Sequence, residues 1–252
     1  RWPNAFIYAS EGQPYGVIVG KKLNRTEAGE VIYENGLPTF DDKVSVLGNG
    51  NYDFTLGFRN AFSYKNLSMS VLVDMKFGAD VYSMSKMQSH VNGTSKETLE
   101  GREGWYASEQ ARLSANVDAK DWTPTGGYVG KGVKAVTDAD GNVSYVPNDV
   151  YVDPAKYWQA LQNSSPEPFI CDNSFVKLRE VSLSYSCPKK WFVHTPIESV
   201  ILSAYGRNLL LIYSKVDNID PESSYNNGNG QGFEYGSLPS RRTFGFGINV
   251  KF

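Results

Sequence analysis

The last ten residues of this 252-residue chain alternate strictly between apolar side chains and small or polar ones. The apolar set occupies every even position: Phe244, Phe246, Ile248, Val250 and Phe252. Because successive side chains of a β-strand point to opposite faces, this pattern predicts a strand with one wholly apolar face. A strand of this kind that ends on an aromatic residue is typical of the closing strand of a transmembrane β-barrel. The same pattern also fits a strand of a water-soluble β-sandwich, so the residues before it are needed to distinguish the two folds.

The composition favours an all-β protein with long connections, since 13% of the residues are aromatic and Tyr (16) and Gly (24) are abundant. The mean hydropathy is −0.40, and no run approaches the ~18 apolar residues of a transmembrane helix. Strands of a transmembrane barrel stay compatible with these values, because alternation hides their lipid-facing side from hydropathy averages. The net charge of −2 gives no electrostatic reason to expect a nucleic-acid partner.

Residues 52–79 contain the clearest hairpin pattern, with two alternating arms around a turn at Lys65-Asn66. We expect Asn66 to tolerate positive φ in this turn, and we expect Phe58 to face Val73. Each arm has about thirteen residues, longer than the ~5–6 of an average globular strand and enough to cross a bilayer. The polar face carries charges that we predict to point into a barrel lumen, with Arg59 diagonal to Asp74 and Asp53 diagonal to Lys76.

Further strands are predicted at Phe175–Ser186, Ser199–Tyr213, Gln13–Leu23 and Arg1–Ser10. In the first of these the apolar phase changes, which indicates a β-bulge near Arg179-Glu180. The total is six or seven strands of membrane-crossing length. The connections between them alternate between short and long, as in outer-membrane barrels with short periplasmic turns and long extracellular loops. The predicted long loops are about 24–51, 83–173 and 214–241.

The longest predicted loop has local structure and many aromatic residues. Asp153-Pro154 is an N-cap and first-turn pair that predicts a short helix through Gln162, and Asp140-Gly141 predicts a small hairpin turn. Flat aromatic faces with polar neighbours serve sugar or peptide sites, and they also pack a loop onto itself or onto a partner. Both interpretations stay open for the candidate ligand-contact or lid-contact residues Trp105, Tyr106, Trp122, Tyr128 and Trp158.

No catalytic or metal-binding signature is present in the sequence. The motifs GxSxG and HExxH are absent, and His90 and His194 lack metal-ligand spacing. The glycine-rich stretch 126–132 resembles a phosphate loop but has Gly132 where Ser or Thr is required. Cys171 and Cys187 bracket an apparent strand, so they would lie on the order of 50 Å apart and are expected to be thiols rather than a disulfide. We therefore predict no enzyme, cofactor or metal.

Five stretches, taken in order, are similar to the SusC/RagA group of TonB-dependent outer-membrane transporters. They are Glu11–Gly16, Leu47–Phe58, Asn173–Tyr185, Tyr205–Leu209 and Phe233–Ser240 leading into the final strand. The resemblance covers residues 11–83 and 172–252. It implies that residues 1–252 form the C-terminal portion of a plugged antiparallel barrel of about 22 strands in the bacterial outer membrane, with the C-terminus periplasmic.

The resemblance also implies the partners. Six or seven strands cannot close a barrel, and the family's plug domain is absent, so we expect the remainder of the barrel and the plug to lie outside these residues. The expected partners are a SusD-like surface lipoprotein that acts as a lid, the TonB complex acting through the plug, and lipid. The expected cargo is an oligosaccharide or a peptide. The alternative is a secreted β-sandwich carbohydrate-binding module, which would stay soluble without detergent.

Overall fold

The computed structural model describes residues 4–223, 228 and 230–252 of the chain. The chain is divided into two compact units. Unit 1 comprises Arg1–Gly50, Val81–Ile170 and Asn226–Gly236, and unit 2 comprises Asn51–Asp80, Cys171–Tyr225 and Ser237–Phe252. No helix within the described ranges has the length and apolar composition that a membrane crossing requires.

Strands dominate unit 2, whereas unit 1 combines strands with helices. In chain order the strands are β1 (Phe6–Tyr8), β2 (Val17–Leu23), β3 (Ile32–Glu34), β4 (Leu37–Pro38), β5 (Phe40–Asn49), β6 (Phe54–Tyr64), β7 (Leu67–Phe77), β8 (Asp80–Ser83), β9 (Val133–Thr137), β10 (Val143–Pro147), β11 (Ile170–Asp172), β12 (Phe175–Ser186), β13 (Ser199–Ser214), β14 (Phe233–Glu234) and β15 (Thr243–Lys251). The helices are α1 (Met84–Val91), α2 (Arg102–Ser114) and α3 (Pro154–Ser164). Short 3-10 turns occur at Lys96–Leu99, Ala119–Asp121, Glu167–Phe169 and Lys189–Trp191.

Unit 2 is built on one antiparallel sheet in the order β15-β13-β12-β7-β6. The predicted hairpin register is confirmed, because Phe58 pairs with Val73 and the two arms meet at Tyr64 and Leu67. One detail of the turn differs from the prediction. Lys65, rather than Asn66, adopts the positive φ, at 52°.

The predicted bulge in β12 is confirmed. The pairing of β12 with β7 runs Leu178 to Val73 and then Glu180 to Leu72, so Arg179 is the extra residue. This insertion returns the apolar residues on both sides of it to the same face of the sheet, which explains why their phase changes in the sequence. The neighbouring strand β13 is irregular at the same level, where Asn208 adopts a φ of 52°.

One face of the unit 2 sheet is apolar along its full width. The residues in register across it include Leu56, Met75, Val176 and Tyr213 in one row, and Phe62, Met69, Leu183, Ala204 and Phe246 in another. The final strand pairs with β13 along its whole length, and its even-numbered apolar residues lie on this face as predicted. Asn60 is a polar interruption of the face that nothing in the structure explains. The part that the final strand would play in closing a barrel stays a prediction.

Unit 1 contains two small sheets, β1-β2-β5 and β10-β9-β3-β4, together with the three helices and a short parallel pairing of β14 with β8. Its core is aromatic and lies between the helices and the strands. The buried side chains of this core include Ile18, Tyr33, Tyr82, Met87, Tyr128, Tyr157, Trp158, Leu161, Phe169 and Phe233.

The structure corrects two of the predicted connections. Residues 24–51 are not a single loop, because β5 occupies Phe40–Asn49 and pairs with β2. Residues 83–173 hold two helices that the sequence pattern did not reveal, α1 and α2. The predicted hairpin at Asp140-Gly141 and the predicted helix after Asp153 are confirmed. Of the predicted strand Arg1–Ser10, the structure forms Phe6–Tyr8, and residues 1–3 lie outside the described residues.

The helix starts of unit 1 follow from local capping. Ser83 accepts a hydrogen bond from the Lys86 N–H (3.0 Å), and Asp153 accepts one from the Ala155 N–H (2.9 Å) with Pro154 in the first turn. Glu234 is 1% exposed, and its two oxygens accept hydrogen bonds from the Ser83 and Ser85 hydroxyls. This carboxylate therefore ties the start of α1 to β14.

Candidate functional site

An open cavity of about 660 Å³ lies among the three helices of unit 1. Its volume falls in the range of small-molecule sites, roughly 300–1,000 Å³. Three aromatic residues contribute to its wall: Trp105 and Tyr106 from the first turns of α2, and Trp158 from α3. The other lining residues are His90, Val91, Asn92, Gly93, Thr98, Arg102, Glu109, Gln110, Asp153, Pro154 and Ala155.

The charged groups at the cavity wall are already engaged within the chain. Arg102 donates to the Gly93 carbonyl and to the Thr98 hydroxyl. Glu109 accepts from Arg112, and this hydrogen bond is the main reason that the pKa of its carboxyl is lowered. Glu109 is compensated by Arg112, whereas both acceptors of Arg102 are neutral and leave its positive charge at the wall. The other groups that can meet a ligand are mainly aromatic faces and the neutral amides of Asn92 and Gln110.

His90 is 3% exposed and forms part of the cavity wall. Its Nδ1 donates to the Lys86 carbonyl (2.8 Å), and its Nε2 lies 2.7 Å from a Glu97 carboxylate oxygen. The hydrogen bond from His90 is the largest cause of the lowered pKa of Glu97. The imidazole also packs on Trp158, with 4.4 Å between the ring centroids. His90 is thus held by both ring nitrogens and by one face, which makes it a fixed part of the wall.

The aromatic cluster behind this wall is part of the core. Tyr128 and Tyr157 pack with their ring centroids 4.4 Å apart, and the hydroxyl oxygens of Tyr33 and Tyr157 lie 3.3 Å apart. Burial raises the pKa of all three phenols, so they remain neutral donors and acceptors at physiological pH. Trp158 is 8% exposed and belongs to both the core and the cavity wall.

The five predicted aromatic candidates therefore separate into two groups. Trp105, Tyr106 and Trp158 meet at the cavity, while Tyr128 packs in the core. Trp122 lies away from the cavity lining, and its indole N–H donates to the buried Ser108 hydroxyl (3.1 Å), which fixes the segment that follows α2. A role in ligand or lid contact stays a prediction for the three cavity residues.

The glycine-rich stretch 126–132 has a packing explanation. A Cβ at Gly126 would lie 2.7 Å from the Gly104 carbonyl oxygen, so the backbone of this stretch passes directly against α2. Gly130 lies over the ring of Tyr33, where a side chain would overlap with the aromatic atoms. These glycines are required for close approach of the backbone. This packing role agrees with the sequence, which does not match a phosphate loop.

Unit 2 carries a charge network on the polar face of its sheet. Lys177 on β12 is 4% exposed, and its ammonium contacts Glu222 (2.6 Å), the Ser240 hydroxyl (2.8 Å) and Asp220 (3.3 Å). The bulge residue Arg179 contacts both Asp74 and Glu222. The network joins residues 220–222 and Ser240 to the sheet, because two buried or half-buried cations share the carboxylates of that segment.

The four charges predicted to face a lumen occupy the polar face, with partners that differ from the expected diagonals. Asp74 pairs with Arg179, and Arg59 reaches Glu180 at 3.8 Å. Lys76 lies over the Tyr52 ring, 5.3 Å from its centroid, and Asp53 is exposed beside Gly78. The register does place Arg59 diagonal to Asp74. The bulged strand β12, however, brings Glu180 closer to Arg59 and Arg179 closer to Asp74.

Comparison with known proteins gives two curated relatives from Formosa agariphila. TonB-dependent receptor P3 is 27% identical over 222 residues, which cover 86% of this chain and 18% of the relative. TonB-dependent receptor P26 is 29% identical over 240 residues, which cover 93% of this chain and 20% of the relative. This chain is a homologue of TonB-dependent receptors. It spans about a fifth of the length of these relatives, and no family model matches it.

Solved structures of the RagAB peptide transporter share the fold of this receptor homologue. One aligns with 99% of the chain and 25% of its own chain at a TM-score of 0.54 and 16% identity. The open-open state of the RagAB peptide importer aligns with 99% and 24% at a TM-score of 0.52 and 14% identity. The predicted resemblance to the SusC/RagA group and the predicted fold class are thereby confirmed, while closure into about 22 strands stays an expectation.

Sequence reasoning missed two features of this receptor homologue. The cavity depends on α1 and α2, whose apolar residues do not form a clear helical stripe. The charge network joins Asp74, Lys177 and Glu222, residues far apart in the sequence, and only the bulge at Arg179 was visible beforehand. Within the described ranges no group of His, Cys, Asp or Glu side chains has an arrangement that could hold a metal ion.

Proposed function

We propose that this chain is a barrel segment of a TonB-dependent importer in the bacterial outer membrane. The supporting observation is the unit 2 sheet, whose eleven-residue hairpin strands present one apolar face, interrupted at Asn60, and one charged face. A wall between lipid and a polar interior needs this division with the apolar face left uncovered, and here Phe58 is 57% and Phe246 86% exposed, whereas a sandwich buries the apolar face of each sheet. The names of the two relatives support the same assignment.

The proposed cargo is an oligosaccharide or a peptide, taken up together with a SusD-like lipoprotein lid. The RagAB neighbours are named as a peptide transporter, which supports the peptide, and the aromatic cavity of unit 1 suits either class. In this proposal the TonB complex supplies the energy through a plug that is not part of these residues. The chain performs no covalent chemistry. Its loops and cavity select and retain the cargo while the sheet forms part of the wall.

We assign the first contact with cargo to Trp105, Tyr106 and Trp158. Tyr106 is 68% exposed, so its ring is presented to an incoming ligand, while Trp105 and Trp158 are held by the helices. Each aromatic contact contributes about 1 kcal/mol beyond simple burial. Loss of two such rings should therefore weaken capture on the order of tenfold or more.

The test is an uptake assay in cells that carry the full-length transporter, with fluorescent maltooligosaccharides and a fluorescent casein digest as the two probes. The double variant Trp105→Ala/Tyr106→Ala should take up the accepted probe with a half-saturation concentration raised about tenfold. Tyr145→Ala, an exposed aromatic on β10 outside the cavity, should leave uptake unchanged. Uptake that persists at full rate in a strain without TonB would contradict the proposed function, and unchanged uptake in the double variant would remove the cavity from it.

A further inference from the structure

One end of the unit 2 sheet collects two turns and the last residues of β15. The turn between β6 and β7 lies beside the end of β12, because the Ser186 N–H donates to the Asn66 carbonyl (2.8 Å). The segment after β12 forms a 3-10 turn at Lys189–Trp191, and the Trp191 N–H donates to the Pro188 carbonyl (3.0 Å). At the far side the Glu198 N–H donates to the Lys251 carbonyl, which joins this segment to β15.

This end of the sheet is basic, although the chain as a whole carries a net charge of −2. The stretches 61–70, 183–203 and 247–252 contain four lysines and a single carboxylate side chain, that of Glu198. Lys251 is paired with Glu198 at 2.6 Å. The other three lysines, Lys65, Lys189 and Lys190, are exposed, and no ion pair among the described residues includes them. This arrangement contrasts with the polar face of the sheet, where Lys177 and Arg179 are both paired.

Exposed aromatic side chains lie next to these lysines. Trp191 is 60% exposed and Tyr64 is 72% exposed. The Tyr185 and Trp191 rings lie 6.5 Å apart, and the Lys65 ammonium lies 5.3 Å from the centroid of the Tyr64 ring. Tyr and Trp rings concentrate at the level of lipid headgroups, where an apolar body and a polar tip are both satisfied. These rings lie at the end of the apolar face, which is where the lipid headgroups would lie if the sheet forms part of a membrane wall.

We propose that this basic and aromatic end binds the phosphate groups of anionic phospholipids. The inference rests on the membrane placement proposed above. Lysines close to an anionic lipid surface each strengthen binding several-fold, and three unpaired ones act together. Exposed aromatic rings beside the lysines favour a lipid over a free anion, since a soluble phosphate offers nothing to the rings. The ligand class is therefore a lipid with a phosphate-bearing, negatively charged headgroup, such as phosphatidylglycerol.

The test is native mass spectrometry of the detergent-purified full-length transporter, titrated with dioleoyl phosphatidylglycerol or with dioleoyl phosphatidylethanolamine. The variant Lys65→Gln/Lys189→Gln/Lys190→Gln should bind phosphatidylglycerol on the order of a hundredfold more weakly and phosphatidylethanolamine as before. The matched control replaces three exposed lysines of unit 1, in Lys96→Gln/Lys131→Gln/Lys156→Gln, and should not change either affinity. The affinity of the unaltered protein for phosphatidylglycerol should fall as salt is raised.

Equal retention of phosphatidylglycerol by the triple variant and its control would overturn the inference, as would an affinity that does not respond to salt. Displacement of the lipid by millimolar inorganic phosphate would show a soluble-anion site instead of a lipid site. Trp191→Ala should weaken both lipids, because the ring acts on the apolar part of either. Heat-modifiable gel migration is measured first on every protein. Failure of the unaltered protein to show this migration would contradict the proposed membrane barrel. If the protein shows it but the lysine substitutions leave the affinity for phosphatidylglycerol unchanged, only the lipid inference is contradicted.

Discussion

At the scale of single residues, the approach of Gly126 to the backbone of α2 leaves no room for a side chain. A methyl group there would lie 2.7 Å from the Gly104 carbonyl oxygen, and backbone atoms cannot rotate away as a side chain can. We expect Gly126→Ala to destabilise the packing of α2 by about 1–3 kcal/mol, the usual cost of overpacking. Hydrogen exchange of the amides in Arg102–Ser114 should accelerate accordingly.

The control for this prediction is Gly57→Ala, since a Cβ at Gly57 meets no atom within 4 Å and its φ is not in the left-handed region. That variant should exchange like the unaltered protein. If α2 is equally protected in Gly126→Ala, then the glycine-rich stretch does not hold this helix in place. Close backbone packing and phosphate binding both select glycine, which explains why residues 126–132 resemble a phosphate loop without matching one.

At the scale of elements, the charge network should act as a latch that holds residues 220–222 on the sheet. Burial raises the pKa of Glu222 and of Asp220, but hydrogen bonds and nearby cations more than offset it, so both pKa values are lowered. A carboxylate with a lowered pKa stabilises the folded state above its unfolded pKa, about 4, and loses that contribution as pH falls through the lower folded value. The ion pairs should therefore hold residues 220–222 on the sheet from neutral pH to about pH 5, and the segment should detach in stronger acid.

Glu222→Gln removes the charge shared by Lys177 and Arg179, and should cost about 2 kcal/mol or more because a nearly buried ammonium loses a partner. Limited proteolysis across residues 215–241 measures the release, both in this variant and in the unaltered protein below pH 4. Glu198→Gln is the matched control, since its pair with Lys251 is largely exposed and is worth little. Cleavage that stays unchanged in Glu222→Gln would show that other contacts hold the segment.

The elements also show what the sequence could reveal. The period-two strands of unit 2 were predictable to within a few residues, because each carries an apolar face that no other structure would satisfy. The bulge at Arg179 was predictable for the same reason. Helices α1 and α2 were not, since their sequences are largely polar and tertiary packing stabilises them. β5 was hidden because its alternation is broken by charges in Asp41-Asp42-Lys43.

At the scale of the whole molecule, the sidedness of the proposed barrel follows from the order of its strands. If β15 runs inward to a periplasmic end, the connection before it lies outside. The turn at Lys189–Trp191 then lies inside, and residues 83–173 lie outside again. The basic end of the sheet would then lie on the periplasmic side, and the residues that line the cavity belong to the segment predicted to lie outside, where cargo arrives.

This sidedness can be measured with single cysteines in a background of Cys171→Ser/Cys187→Ser. Asp140→Cys, in the exposed turn between β9 and β10, should react with a membrane-impermeant maleimide on intact cells. Lys190→Cys should react only after the outer membrane is opened, since its turn is expected on the periplasmic side. Labelling of Lys190→Cys on intact cells, with Asp140→Cys protected, would invert the barrel and move the proposed lipid contact to the outer leaflet. Because both positions are exposed and lie in turns, a difference in their labelling reports the side of the membrane rather than burial within the fold.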